Sequence, residues 1–236
     1  MSRHWRVPVC AACLEAPEPA QADHFCGACR TPFLNPRPLG ESGLCYLCRH
    51  QVNRFDAAYS FGYYEGGLRE LIHIFKYRGA ASLAAPFARL LVRALPGGER
   101  FDAAVPVPLH WRRRWKRGFN QAGELADEFG RLTGIPVLHA LRRTRPTSPQ
   151  AGQARSARRK NMAGAFRVRG GGIAGKSLLL VDDVFTTGAT SSACAAALKD
   201  AGARRVSVLT VARADRRAWA DAFPEEGPRL SLAAAG

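Results

Sequence analysis

The chain has 236 residues, 47% of them hydrophobic, and 35 Lys or Arg against 19 Asp or Glu, for a formal net charge of +16. That apolar content excludes a disordered polyelectrolyte and suffices for one main domain with a small appendage. No apolar run approaches the roughly 20 residues of a membrane span, and the N-terminus MSRHWRVPVCAACLEAP lacks a signal-peptide core, so the sequence predicts a cytoplasmic protein whose basic excess suits polyanions.

Residues 1–53 are rich in Cys, Pro and Gly. Six of the seven cysteines lie here, as the pairs Cys10/Cys13, Cys26/Cys29 and Cys45/Cys48. In a reducing compartment, paired thiols point to metal rather than disulfides, and two pairs make a tetrahedral zinc site. The set Cys26, Cys29, Cys45 and Cys48 is favoured, because CGAC and CYLC are separated by a Pro/Gly-containing loop of zinc-ribbon length. Cys10/Cys13 with Cys26/Cys29 is the alternative. Neither set leaves an open coordination position, so Zn2+ here would be structural.

FDAAYSFGYY, from Phe55 to Tyr64, predicts a strand or hairpin. Leu68, Leu71, Ile72 and Phe75 fall at helical spacing, with His73 expected to be half-buried, and a second helix follows over 82–95. DAAVPVPL (102–109) reads as a strand, and 120–134 as a helix with Asn120 as N-cap and Gly134 as its stop. Residues 142–169 carry nine Arg or Lys and no acid, which predicts a mobile functional loop or hairpin. KSLLLVDDV (176–184) is a buried strand, 191–202 a helix and 204–213 a last strand; 216–236 is a tail. The alternation implies an α/β domain over 54–215, with a parallel sheet flanked by helices. Cys194 sits among alanines and reads as packing.

The stretch LLLVDDVFTTGAT (178–190) carries the chemistry. In open parallel sheets, ligands bind beyond the carboxyl ends of the strands. Asp182 and Asp183, at such an end, can accept hydrogen bonds from vicinal ribose hydroxyls, directly or through a divalent cation. Thr186, Thr187, Gly188, Ala189 and Thr190 then lead into a helix N-terminus, which favours an anion. Together they describe a ribose 5-phosphate site. GGGIAGKS (170–177) also matches a P-loop pattern, which makes an ATPase a competitor. A P-loop must open a helix, however, and here Lys176 and Ser177 run into a strand.

VDDVFTTGAT resembles the phosphoribosyl pyrophosphate (PRPP) signature of type I phosphoribosyltransferases. With VPVPLHWRRRWKRGFNQ (105–121), KYRG (76–79), TSPQ (147–150) and AGAF (163–166), the chain resembles the ComF family over about 10–213. Members combine a zinc module with a phosphoribosyltransferase domain. The resemblance implies PRPP binding with Mg2+, with Asp182 and Asp183 on the ribose and 186–190 on the 5-phosphate. It places pyrophosphate beside Arg112, Arg113, Arg114, Lys116 and Arg117, which arginine can clamp bidentately. It makes 142–169 a catalytic loop that excludes water and offers Arg155, Arg158, Arg159 and Lys160, with Gln150 and Asn161 fixing it. It further implies a role in natural transformation, with single-stranded DNA and a helicase-like ATPase as partners. A non-catalytic DNA-binding module built on the same scaffold is the alternative, since an arginine-rich groove suits any phosphate backbone.

Overall fold

The computed structural model describes residues 9–33, 35–50, 52–77, 80–109, 119–144 and 164–214. Four parallel strands form the centre: β3 (Ala57–Tyr63), β8 (Arg205–Arg213), β7 (Ser177–Phe185) and β4 (Ala103–Pro106), side by side in that order. Beyond β4, residues 136–138 add one parallel bridge, Ala104 to Val137. Parallel neighbours need crossovers. Helices α3 (Gly66–Tyr77), α4 (Ala84–Ala94), α5 (Gln121–Thr133) and α6 (Ala189–Asp200) supply them.

The strands read as continuous apolar runs because both faces are covered. Leu178 and Leu180 share one cluster with Cys194, Ala195 and Leu198 of α6. Leu179 and Val181 share the other with Phe75, Phe87, Leu125 and Phe129 of α3, α4 and α5. Cys194 is fully buried packing, as expected. His73 differs from expectation: it is exposed, its ring 4.7 Å from that of Tyr77, because α3 buries only the Leu68–Leu71–Ile72–Phe75 stripe.

The Cys-rich segment holds α1 (Ala11–Glu15), the two-residue strands β1 (His24–Phe25) and β2 (Pro32–Phe33), and α2 (Tyr46–Arg49). Its Cys26, Cys29 and Cys45 belong to the same apolar cluster as the α6 face of the sheet. The basic stretch begins and ends as an antiparallel hairpin, β5 (Leu141–Arg143) against β6 (Phe166–Val168). Residues 145–163, with Gln150, Arg155, Arg158, Arg159, Lys160 and Asn161, lie outside the described residues, as do Arg112, Arg113, Arg114, Lys116 and Arg117. No helix among the described residues is long and apolar enough to cross a membrane.

Candidate functional site

β7 begins at Ser177, whose N–H donates to the Asp102 carboxylate at 2.7 Å. The GGGIAGKS motif therefore opens a strand rather than a helix, and the P-loop reading fails on geometry. The acid pair was expected at the strand's carboxyl end. The structure refines this, because the two edges of β7 end at different places. On the β8 side pairing runs on through Asp182–Thr210 to Phe185–Arg213. On the β4 side it stops at Pro106–Val181, with a last bond from the Val107 N–H to the Val181 carbonyl. Among the described residues, Asp182 and Asp183 are thus the first of β7 with no strand on one flank, where a cleft can open.

Side chains alternate along a strand, so the two carboxylates diverge. Asp183 points to the α3 face, where its Oδ1 lies 2.9 Å from Lys76 Nζ. Lys76 is also 5.9 Å from the centre of the Tyr64 ring. Asp182 turns to the α6 face, and its Oδ1 accepts the Asp183 N–H at 2.9 Å. Burial, then the charge of Asp183, pushes the Asp182 carboxyl up to about 7, against the pull of Lys76 and Arg143. Arg143, at the base of the hairpin, stacks over Phe166 at 5.5 Å. An acid held near neutrality beside a second acid and two cations is a common mark of a binding site. Lys76 stood in the KYRG motif without a role, and Arg143 was only one of the nine basic residues of its stretch. Their places come from packing between distant elements, which spacing does not report.

Past Phe185 the chain turns. Thr187 Oγ1 accepts the Ala189 N–H at 3.3 Å. Gly188 caps α6 with φ +74, and its carbonyl accepts the Ser192 N–H at 2.8 Å. A Cβ at Gly188 would stand 3.0 Å from the Phe185 ring, so both its dihedral and its crowding call for glycine. Helix α6 begins at Ala189, two residues before the expected start, which brings Ala189 and Thr190 into its first turn. Thr186 is exposed and Thr187 and Thr190 half-buried. The segment 186–190 forms a compact loop at the N-terminus of a 12-residue helix, immediately beyond the acid pair. The first turn of α6 is tied to the end of the Cys-rich segment: Ser192 Oγ accepts the Arg54 N–H at 3.1 Å and donates to the Val52 carbonyl at 3.4 Å.

The sulfurs of Cys26, Cys29, Cys45 and Cys48 all lie within 4.8 Å of one another. The structure therefore selects this set over the Cys10/Cys13 alternative; Cys10, the N-cap of α1, and Cys13, within it, are exposed. Hydrogen bonds from Cys29, Cys45 and Cys48 drive the Cys26 thiol far below its usual range, while those with Cys26 and Cys29 push Cys45 and Cys48 up. A thiolate among neighbouring thiols leaves negative charge in a largely buried site, and a divalent cation such as zinc would balance it. The Cys45 N–H donates to Cys26 Sγ at 3.3 Å, and Asn53 Nδ2 to Cys48 Sγ at 3.5 Å, as in metal–thiolate sites. The cluster can hold a metal ion such as zinc.

No family model matches the chain. Over 179 residues it is 33% identical to Competence protein F of Haemophilus influenzae, an overlap of 72% of this chain and 78% of the relative. Over 217 residues it is 31% identical to the DNA utilization protein YhgH of Salmonella typhimurium, covering 89% and 91% of the two chains. Among solved structures, the glutamine PRPP amidotransferase of B. subtilis, complexed with ADP and GMP, aligns with a TM-score of 0.39 at 22% identity, over 55% of this chain and 26% of that one.

Proposed function

The chain belongs to the competence protein F (ComF) family, and from that premise we propose that it binds PRPP, or another ribose 5-phosphate, with Mg2+, and serves the use of incoming single-stranded DNA. The observation that carries the ligand reading is the succession along β7. Two carboxylates stand where β4 has ended, and the glycine cap of a helix N-terminus, Gly188, follows five residues after Asp183. In this reading Asp182 and Asp183 take the ribose hydroxyls, and Thr186, Thr187, Gly188, Ala189 and Thr190 take the 5-phosphate. Mg2+, when bound, would neutralise phosphate charge beside the acids. Arg112, Arg113, Arg114, Lys116 and Arg117 would face the pyrophosphate, and Arg155 and Arg158 would close over it.

The reaction such a site supports is phosphoribosyl transfer. A bond forms from an acceptor nucleophile to the anomeric carbon as the bond to pyrophosphate breaks, and pyrophosphate leaves with the electron pair. Zinc would sit in the four-cysteine site with a structural role. The names of the relatives, competence and DNA utilization, support a role in DNA handling, which would take place in the cytoplasm, with a helicase-like ATPase as the partner the family implies. A second reading, a single-strand-binding module without catalysis, is favoured by the net charge of +16 and the acid-free stretch 142–169.

Calorimetric titration of PRPP with Mg2+ into the full chain tests the ligand reading. Saturable binding that is lost on replacing both aspartates by asparagine is the expected result; no binding by the unaltered chain overturns it. If only single-stranded DNA binds, with a steep salt dependence, the second reading stands.

A further inference from the structure

Arg213, the last residue of β8, is only 3% exposed. Among the described residues no carboxylate lies within ion-pair distance of it. A buried guanidinium without an acid is costly unless its donors are met and another negative charge is near. Its donors go to one place, the turn that carries two of the four clustered cysteines. One nitrogen donates to the Arg30 carbonyl; the other donates to the Cys29 carbonyl and to Thr31 Oγ1, both at 3.1 Å. The face of the guanidinium lies over the Phe185 ring, 5.2 Å away.

Thr31 extends this contact to the sulfur. Its Oγ1 accepts from Arg213 and lies 2.9 Å from Cys29 Sγ. With a lone pair engaged by the arginine, the hydroxyl proton is free to point at the sulfur, which favours Cys29 as thiolate. The turn itself is held in an uncommon shape: Arg30 has φ +51, the one positive value among the described non-glycine residues. The Arg30 N–H bonds the Cys26 carbonyl at 3.0 Å, and the Cys26 N–H bonds the Thr31 carbonyl at 2.9 Å. A non-glycine residue keeps such a conformation only where its surroundings hold it, and Arg213 grips the two carbonyls on either side of the Arg30 nitrogen.

The charges call for such a partner. Four thiolates around a divalent ion carry a net charge of two minus, in a site packed against the apolar face of the sheet. We propose that Arg213 is the counter-cation of the metal–thiolate cluster. It is a positioning residue that offsets the charge of the loaded site, aims Thr31 at Cys29 and holds the Cys26–Cys29 turn in its ligating shape. The inference rests on the reading of the cluster as a zinc site. It also gives the metal a place in the fold, because Arg213 is in register with Phe185, one residue before the 186–190 loop.

The test is zinc release from the full chain to a chromogenic chelator, compared among the unaltered protein, Arg213→Met, Arg213→Lys and Thr31→Val. Partners behind metal ligands typically change affinity by about 10–100-fold. Arg213→Met should release zinc at least about tenfold faster, Thr31→Val several-fold faster, and Arg213→Lys, which keeps the charge but loses the fork, should fall between the unaltered protein and Arg213→Met. Cobalt(II) substitution adds a readout that a merely structural residue would not move. Loss of the cation raises the thiolate electrons in energy, so the sulfur-to-cobalt charge-transfer band of Arg213→Met should shift to longer wavelength. If circular dichroism shows that Arg213→Met does not fold, Thr31→Val and Arg213→Lys decide. Unchanged release and unchanged cobalt spectra in the folded variants overturn the role of Arg213. An unaltered protein that holds no zinc overturns the zinc reading as well, and zinc content measured at the outset separates the two failures.

Discussion

The ammonium of Lys76, in the last turn of α3, lies 2.9 Å from Oδ1 of Asp183. Both side chains are largely buried, so the pair is more than a surface contact. It holds in place one of the two acids that the proposed function gives to the ribose.

Replacing Lys76 by Met keeps the aliphatic stem and deletes the charge. Asp183 then loses its cation and Asp182 a charge that draws its proton off. The ligand-free protein should lose about 1–3 kcal/mol, more than an exposed pair would cost and less than a fully buried one. Mg2+ should restore part of that loss by taking the place of the ammonium. Urea denaturation with and without Mg2+ measures both; equal stability of the two proteins would remove Lys76 from the site.

The second prediction concerns pH. Asp182 is pushed from 3.8 up to about 7 by burial and by Asp183. Between those values the native state holds a proton that the unfolded chain has released. Stability must therefore be greatest below about pH 4 for this group and fall as pH rises towards 7. With allowance for its partial exposure, the loss is about 2 kcal/mol. Asp182→Asn, whose amide oxygen can still accept the Asp183 N–H, should flatten that slope and raise the melting temperature of the ligand-free protein at pH 7. A slope identical to that of the unaltered protein would assign the titration elsewhere.

Third, Asp182→Asn combined with Asp183→Asn should abolish PRPP binding and leave single-stranded DNA binding intact or slightly stronger, because two negative charges are removed. Calorimetry for PRPP and fluorescence anisotropy for DNA at two salt concentrations separate the two activities. A folded double variant that loses DNA binding would show that they share one site.

Gly188→Ala is the fourth. The site combines φ +74 with a ring carbon 3.0 Å from the new methyl. Left-handed backbone costs a non-glycine residue about 1–2 kcal/mol, and the Phe185 ring must shift as well. A fall in melting temperature with a weakened response to PRPP is expected. A variant matching the unaltered protein in both would mean that the turn relaxes freely.

The fifth separates the cysteines. Cys26→Ser or Cys45→Ser should remove bound zinc, whereas Cys10→Ser with Cys13→Ser should leave the zinc content unchanged at about one ion per chain, since among the described residues one tetrad of thiols is assembled, without Cys10 and Cys13. Metal analysis of the purified variants decides it. Zinc lost with Cys10 and Cys13 would move the site.

Much of this molecule is local, and what is local was legible. The apolar run 178–181 had to be a buried strand, the Leu68–Phe75 stripe one face of a helix, and Gly134 a helix stop, here with φ +75. The Cys-x-x-Cys pairs Cys26/Cys29 and Cys45/Cys48 marked out the four-sulfur cluster, and DD followed by TTGAT marked a strand end running into a helix N-terminus. Each signal lies within a few residues, where periodicity and turn chemistry act. The sequence by itself therefore determined the elements, their parallel alternation and the residue types of the candidate site. Only the tertiary structure decided which cysteine pairs meet and that the acids begin where β4 ends. It also decided that they diverge to opposite faces, and that Lys76, Arg143 and Arg213 stand behind them and behind the four-cysteine cluster. Those relations join elements far apart in the chain. They arise when helices and strands pack their apolar faces, and the polar groups carried along must then find partners wherever burial has left them.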